Sequence, residues 1–195
     1  EHEYRDSVDL LWFPTGGGKT EAYLGLTAFT LAHRRLREPV DGFRNDAGVA
    51  VLMRYTLRLL TIQQFQRATS LICACEYLRV KEGIWGEHRF SIGLWVGRSA
   101  TPNTFSNDWV GSLGAKQILE KLNQRELGEN PVKGKGTPLQ LLACPWCGCD
   151  VTSNRHQQDY VADEVREMVH TYCSSDDCFF GRVNGDGIPI HTVDQ

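Results

Sequence analysis

The stretch Phe13-Pro14-Thr15-Gly16-Gly17-Gly18-Lys19-Thr20 sets three glycines directly before a lysine and a threonine. Those residue types at that spacing suit the phosphates of a nucleotide. Glycines open backbone angles closed to other residues and leave no side chain in the way of an approaching anion. Their N–H groups, and those of a helix starting there, point at anionic oxygen, and the helix dipole adds to the attraction. Lys19 would set a compact positive charge on the β- and γ-phosphates of ATP, and the Thr20 hydroxyl would reach Mg2+. Lys19 and Thr20 are therefore the candidate catalytic residues. Thr15, Gly16, Gly17, Gly18, Lys19, Thr20 and Glu21 are the candidate nucleotide-binding set. Phe13 stands where the long form of this loop has a further glycine, so the shorter form Thr-Gly-x-Gly-Lys-Thr is the one present.

A second set of residues suits a metal ion. Cys144-Pro145-Trp146-Cys147-Gly148 has the C-x2-C-G form of a metal knuckle, and Cys173 and Cys178 supply a looser pair after 25 intervening residues. Four thiolates at these spacings would close a tetrahedral, structural Zn2+ site made of Cys144, Cys147, Cys173 and Cys178. Cys149 is an alternative to Cys147, and His156 or His170 is an alternative to one cysteine. A redox pair is disfavoured, because Pro145-Trp146 does not open a helix beside a sheet. Cys73 and Cys75 lie two apart on a helical pattern and read as core or boundary residues.

A third set is basic. Arg54-Tyr55-Thr56-Leu57-Arg58 and the Gln63-Gln64 pair follow an apolar run, in a stretch from Ala47 to Cys75 that holds three arginines and no acid. Hydroxyls, arginines and a helix start suit backbone phosphates. Spacing alone fits a solvated basic helix face equally well.

The elements that must hold these residues are legible in part. Val8–Phe13 reads as a buried strand running into the glycines, followed by a helix that closes at Arg34-Arg35-Leu36-Arg37-Glu38-Pro39. Val49–Met53 is a short continuous apolar run, as in a parallel strand covered on both faces. A helix beginning at Thr56 or Thr61 and reaching about Arg79 follows. Leu59, Ile62, Phe65, Ala68, Ile72 and Cys73 mark its buried face. Phe90–Val96 is a third strand candidate. The order β-α-β-α-β implies a parallel sheet with right-handed crossovers, whose strand ends would set Arg54, Thr56 and Arg58 near the glycine loop. Residues 98–112 read as loop, Ala115–Glu126 as a helix and Leu127–Pro138 as a linker.

The 195 residues are 41% hydrophobic, enough for one good-sized core plus a small insertion. The net charge of −3 argues against a uniformly basic nucleic-acid coat. From Cys144 onward there are nine acids against three arginines, so contacts with nucleic-acid phosphates are expected in the first half. Zinc-bound thiolates would make the cysteine part more negative still, which favours a fold-stabilising or protein-docking role there. No run of 18 apolar residues exists, so no membrane span is expected. The N-terminus does not read as a signal peptide. Seven cysteines beside a nucleotide loop suit a reducing cytoplasm.

The glycine loop followed by Arg54–Phe65 resembles motifs I and Ia of superfamily 2 helicases. The wording "LWFPTGGGKTEAYLGL" with "RYTLRLLTIQQFQRA" resembles the helicase branch of the DISARM phage-defence system, well over roughly residues 7–97. The resemblance implies part of a RecA-like P-loop NTPase lobe (1–97), a helical and loop insertion with linker (98–138), and a zinc-ribbon-like insertion returning to the lobe (139–195). It implies ATP and Mg2+ held by Gly16, Gly18, Lys19 and Thr20. It implies Arg54, Thr56 and Arg58 on a DNA backbone, single-stranded or with single-stranded ends, supported by Gln63 or Gln64. Arg98 falls near the family's next nucleic-acid loop. Partner proteins of a defence complex follow from the same resemblance.

One departure is large. Such helicases hold magnesium and position water with an Asp-Glu-x-His or Asp-Glu-x-x box, and the expectation is that none appears anywhere in this chain. The arginine finger and second lobe are also not found. The expectation is a fragment of a longer enzyme that binds nucleotide weakly and does not hydrolyse it alone. Two other readings stay open: a non-catalytic, zinc-stabilised protein-interaction domain with a vestigial nucleotide loop, and an RNA helicase lobe.

Overall fold

The first helix starts where a glycine lets the chain turn. Gly18 sits at φ 78°, in the left-handed region, and α1 (Lys19–Leu36) follows at once. Glu21 in its first turn and His33, Arg34 and Arg35 in its last complement the helix dipole. The structure is a computed structural model. It describes all residues except 1–3, 5, 11, 13, 15–17, 40–41, 43, 56–57, 98–99, 108–112, 124–135, 152–158 and 192–195.

Helix α2 (Arg58–Glu82) is the longest element. Phe65, Ala68, Ile72 and Cys73 of its expected face are buried. The side chains of Leu59 and Ile62 lie outside the description. Strand β1 (Ile92–Gly93), helix α3 (Ala115–Asn123), strands β2 (Tyr160–Asp163) and β3 (Met168–Thr171), and strand β4 (Ile190–His191) complete the elements among the described residues. β1 and β4 pair in parallel, with Ile92 opposite Ile190. β2 and β3 form an antiparallel hairpin, with Tyr160 opposite Thr171 and Asp163 opposite Met168.

The result is a mixed α/β chain with two small sheets among the described residues. It differs from the expected sheet at its first two strands. Neither the described part of Val8–Phe13 nor Val49–Met53 joins a ladder among the described residues, and Phe90–Val96 contributes only Ile92–Gly93. Val8 and Leu10 are more than nine-tenths exposed, and Leu52 is 79% exposed. An apolar run marks a segment that can be buried; pairing also needs a neighbouring backbone at the right distance, which a local window does not carry.

One core crosses all three sequence segments. Phe65 and Cys73 of α2, Phe105, Ala115 and Leu119 of the middle, and Leu141, Val169, Phe180 and Ile188 of the cysteine part share it. A smaller cluster joins Ile72, Cys75 and Phe90, with Ala28 and Leu31 of α1 against it. Arg35 ties this region together. Its guanidinium stacks on Phe90 at 3.5 Å and donates to the carbonyl oxygens of Trp85 and His88.

Candidate nucleotide loop and metal centre

The start of α1 brings Gly18, Lys19 and the Glu21 carboxylate together at the positive end of the helix dipole. Gly18 makes no side-chain cap, so the first N–H groups of the helix receive none from it. Among the described residues, a Cβ built at Gly18 would meet Glu21 Oε2 at 3.9 Å. Lys19 opens the helix with an exposed side chain, and Thr20 is half-buried. Thr15, Gly16 and Gly17 lie outside the described residues. The structure adds a partner that the sequence did not announce. Arg67 of α2 donates to Glu21 Oε1, and this contact holds the Glu21 carboxyl below its usual range.

The basic set is divided. Arg54 is exposed and lines a cleft of about 1060 Å3 between α1, α2 and the segments 45–55 and 88–96. Gln64 lines the same cleft, and its Oε1 is buried without a hydrogen-bond partner among the described residues. Gln63 is exposed on α2. Thr56 and Arg98 lie outside the described residues, as does the side chain of Arg58. Of the two glutamines, Gln64 is the one that faces the Arg54 rim.

The four cysteines chosen by spacing come together. The Sγ atoms of Cys144, Cys147, Cys173 and Cys178 all lie within 4.8 Å of one another. Cys147 and Cys173 are 3.4 Å apart, and Cys144 and Cys178 are 3.9 Å apart. A tetrahedral zinc with Zn–S bonds of about 2.3 Å needs sulfur–sulfur separations of about 3.8 Å. The donor set and its spacing therefore fit a metal such as zinc.

Local backbone builds each knuckle. Cys144 N–H donates to Cys149 O at 2.7 Å and Gly148 N–H to Cys144 O at 2.9 Å, which curls the first pair. In the second, Cys178 N–H donates to Ser175 O, Gly181 N–H donates to Cys178 O, and Ser175 N–H points at Cys173 Sγ at 3.4 Å. Gly181 must be glycine, since a Cβ there would stand 2.6 Å from Ser175 O. Burial works against ionisation at Cys147, but hydrogen bonds from the Cys149 backbone and neighbouring thiols outweigh it and hold this thiol down at about 7. Burial pushes Cys178 up to about 11 and Cys173 higher still. A divalent cation removes this conflict by ionising the thiols as it binds.

The alternatives to this set fall elsewhere. Cys149 is exposed and outside the four-thiol group. His170 pairs with Asp163, Nε2 to Oδ2 at 3.2 Å, and His156 is outside the described residues. Cys73 is fully buried against the centre, in the core that holds Cys144 and Cys178. Burial first, and then the nearby Cys144, push its thiol far up.

One Asp-Glu-x-x string does occur, Asp163-Glu164-Val165-Arg166. It forms the turn of the β2–β3 hairpin. Asp163 Oδ1 accepts the N–H groups of Val165 (2.9 Å) and Arg166 (3.0 Å), and Glu164 pairs with Lys116 at 2.8 Å. Asp163 holds the turn together and Glu164 ties it to α3; neither follows a parallel strand toward the glycine loop.

No family model and no solved structure matches the chain. One curated protein does, the DISARM protein DrmA of Bacillus paralicheniformis, 37% identical over 196 aligned residues that cover 98% of this chain. The two sequences are related. The match spans the glycine loop, the basic segment and the cysteine knuckles alike. It covers 16% of DrmA, so the chain spans about a sixth of that relative's length. No helix among the described residues is long and apolar enough to cross a membrane.

Proposed function

We propose that the chain is the phosphate-loop part of the first RecA-like lobe of an ATP-dependent DNA helicase or translocase acting in anti-phage defence. The observation that carries this is the start of α1. A left-handed Gly18, with no side chain of its own over the helix end, opens directly into Lys19-Thr20. The relationship to DrmA supports the defence role.

In this reading Thr15, Gly16, Gly17 and Gly18 cradle the phosphates, Lys19 balances their charge, Thr20 reaches Mg2+ and Glu21 lies beside them. Arg54, Thr56, Arg58 and Gln63, with Gln64 facing the same rim, track a DNA backbone. Residues 1–97 are the lobe, 98–138 an insertion with linker, and 139–195 a zinc-stapled insertion. The remaining length of a DrmA-like protein supplies the acidic box and second lobe, so hydrolysis belongs to the full-length protein in the cytoplasm. The Lys19→Ala full-length protein should lose ATP hydrolysis and translocation while still binding DNA. Normal turnover by that variant would remove the motor reading.

A further inference from the structure

The knuckles of the metal centre grip α2. Trp146, between Cys144 and Cys147, lies 4.8 Å from the ring of Tyr77. Phe179, beside Cys178, meets the same ring edge-on at 5.1 Å. Phe180 closes the set, edge-on to Trp146 at 5.8 Å and to Phe179 at 5.0 Å. Cys73, one turn earlier on the same face of α2, is buried with Cys144 and Cys178.

A second weld lies beside the first. Glu76, buried on α2, pairs with Arg79 at 2.8 Å and accepts the Phe90 N–H at 3.0 Å. Arg89, 3.9 Å from Glu76, donates to the carbonyl oxygens of Asp186 and Gly187 in the cysteine part. About 15 Å back along α2 from Tyr77, Arg67 holds Glu21, two residues after Lys19.

We propose that α2 is a strut joining the metal centre to the nucleotide loop, so that zinc loading raises nucleotide affinity and nucleotide raises zinc affinity. The inference rests on nucleotide binding at Lys19. Tyr77 and Arg67 are its positioning residues. The direction follows from charge. With zinc bound, the knuckles clamp Tyr77 and α2 keeps Arg67 on Glu21, neutralising the carboxylate nearest Gly18. With zinc removed, the thiols no longer share a centre and the two knuckles part. Trp146 and Phe179 then release Tyr77, α2 shifts, and the Glu21 carboxylate, no longer neutralised by Arg67, repels the incoming triphosphate. Coupling between two sites is reciprocal, and at its usual size a change of about fivefold is expected.

The test uses the full-length protein, a fluorescent ATP analogue with Mg2+, and zinc readout by a chromophoric chelator. Zinc removal should weaken nucleotide binding about fivefold, and saturating nucleotide should raise zinc affinity by the same factor. Tyr77→Leu, which keeps all four thiols, should retain zinc yet weaken nucleotide binding several-fold. In Glu21→Gln the effect of zinc removal should shrink below twofold. If Tyr77→Leu binds nucleotide as the wild type does, and zinc affinity ignores nucleotide, the strut is wrong while the loop assignment stands. A wild-type protein that binds no nucleotide overturns both.

Discussion

Cys173 and Cys149 separate a ligand from a bystander. Cys173 is buried among the four clustered thiols, whereas Cys149 is exposed and outside them. Cys173→Ser should strip the protein of stoichiometric zinc, read by elemental analysis, and lower its melting temperature; Cys149→Ser should keep both. Acidity should act with a definite sign. Zinc must displace thiol protons, from Cys147 held at about 7 and from Cys173 and Cys178 pushed up by burial. Apparent zinc affinity should therefore fall as the pH falls from 8 to 6, by about tenfold per pH unit for each proton displaced. A pH-independent affinity in a chelator competition would contradict thiolate ligation. At this scale the cysteine set was legible, because the spacing within each pair is a short-range signal and the four thiols come together. Arg67 on Glu21 was not legible, because nothing local pairs residues 46 positions apart.

Among the elements, α2 does the most positioning. Its buried face was readable from the recurrence of Phe65, Ala68, Ile72 and Cys73, because a helical period is written in the sequence itself. Glu76 on the same helix was not readable as anything but a surface acid. It is 4% exposed and carries Arg79, Arg89 and the Phe90 amide. Glu76→Gln would leave two arginines short of their counter-charge. It should cost about 3 kcal/mol in denaturant unfolding, whereas a loss under about 0.5 kcal/mol, as at an ordinary surface site, would show that the network carries no stability. The strands were the least legible elements. Val8–Phe13 and Val49–Met53 have the composition of buried strands, yet among the described residues the parallel ladder joins Ile92–Gly93 to Ile190–His191. That pairing spans nearly a hundred residues and depends on the cysteine part folding back. The Asp163-Glu164 pair illustrates the converse: a motif-like string whose role is fixed by the hairpin turn it sits in.

Taken as a whole molecule, the chain sets the start of α1, the Arg54 cleft and four clustered thiols around one helix. One core cluster holds residues from all three expected segments, from Phe65 to Ile190. Composition reports local polarity; it does not report which surfaces meet. The account therefore turns on whether a triphosphate binds where Gly18 opens α1. The direct measurement is a titration of the full-length protein with a fluorescent ATP analogue and Mg2+, comparing wild type with Lys19→Ala at equal zinc content. Losing a charge-assisted contact of about 1.5–3 kcal/mol should weaken binding by roughly tenfold to a hundredfold. Equal affinity in the two proteins would contradict the account.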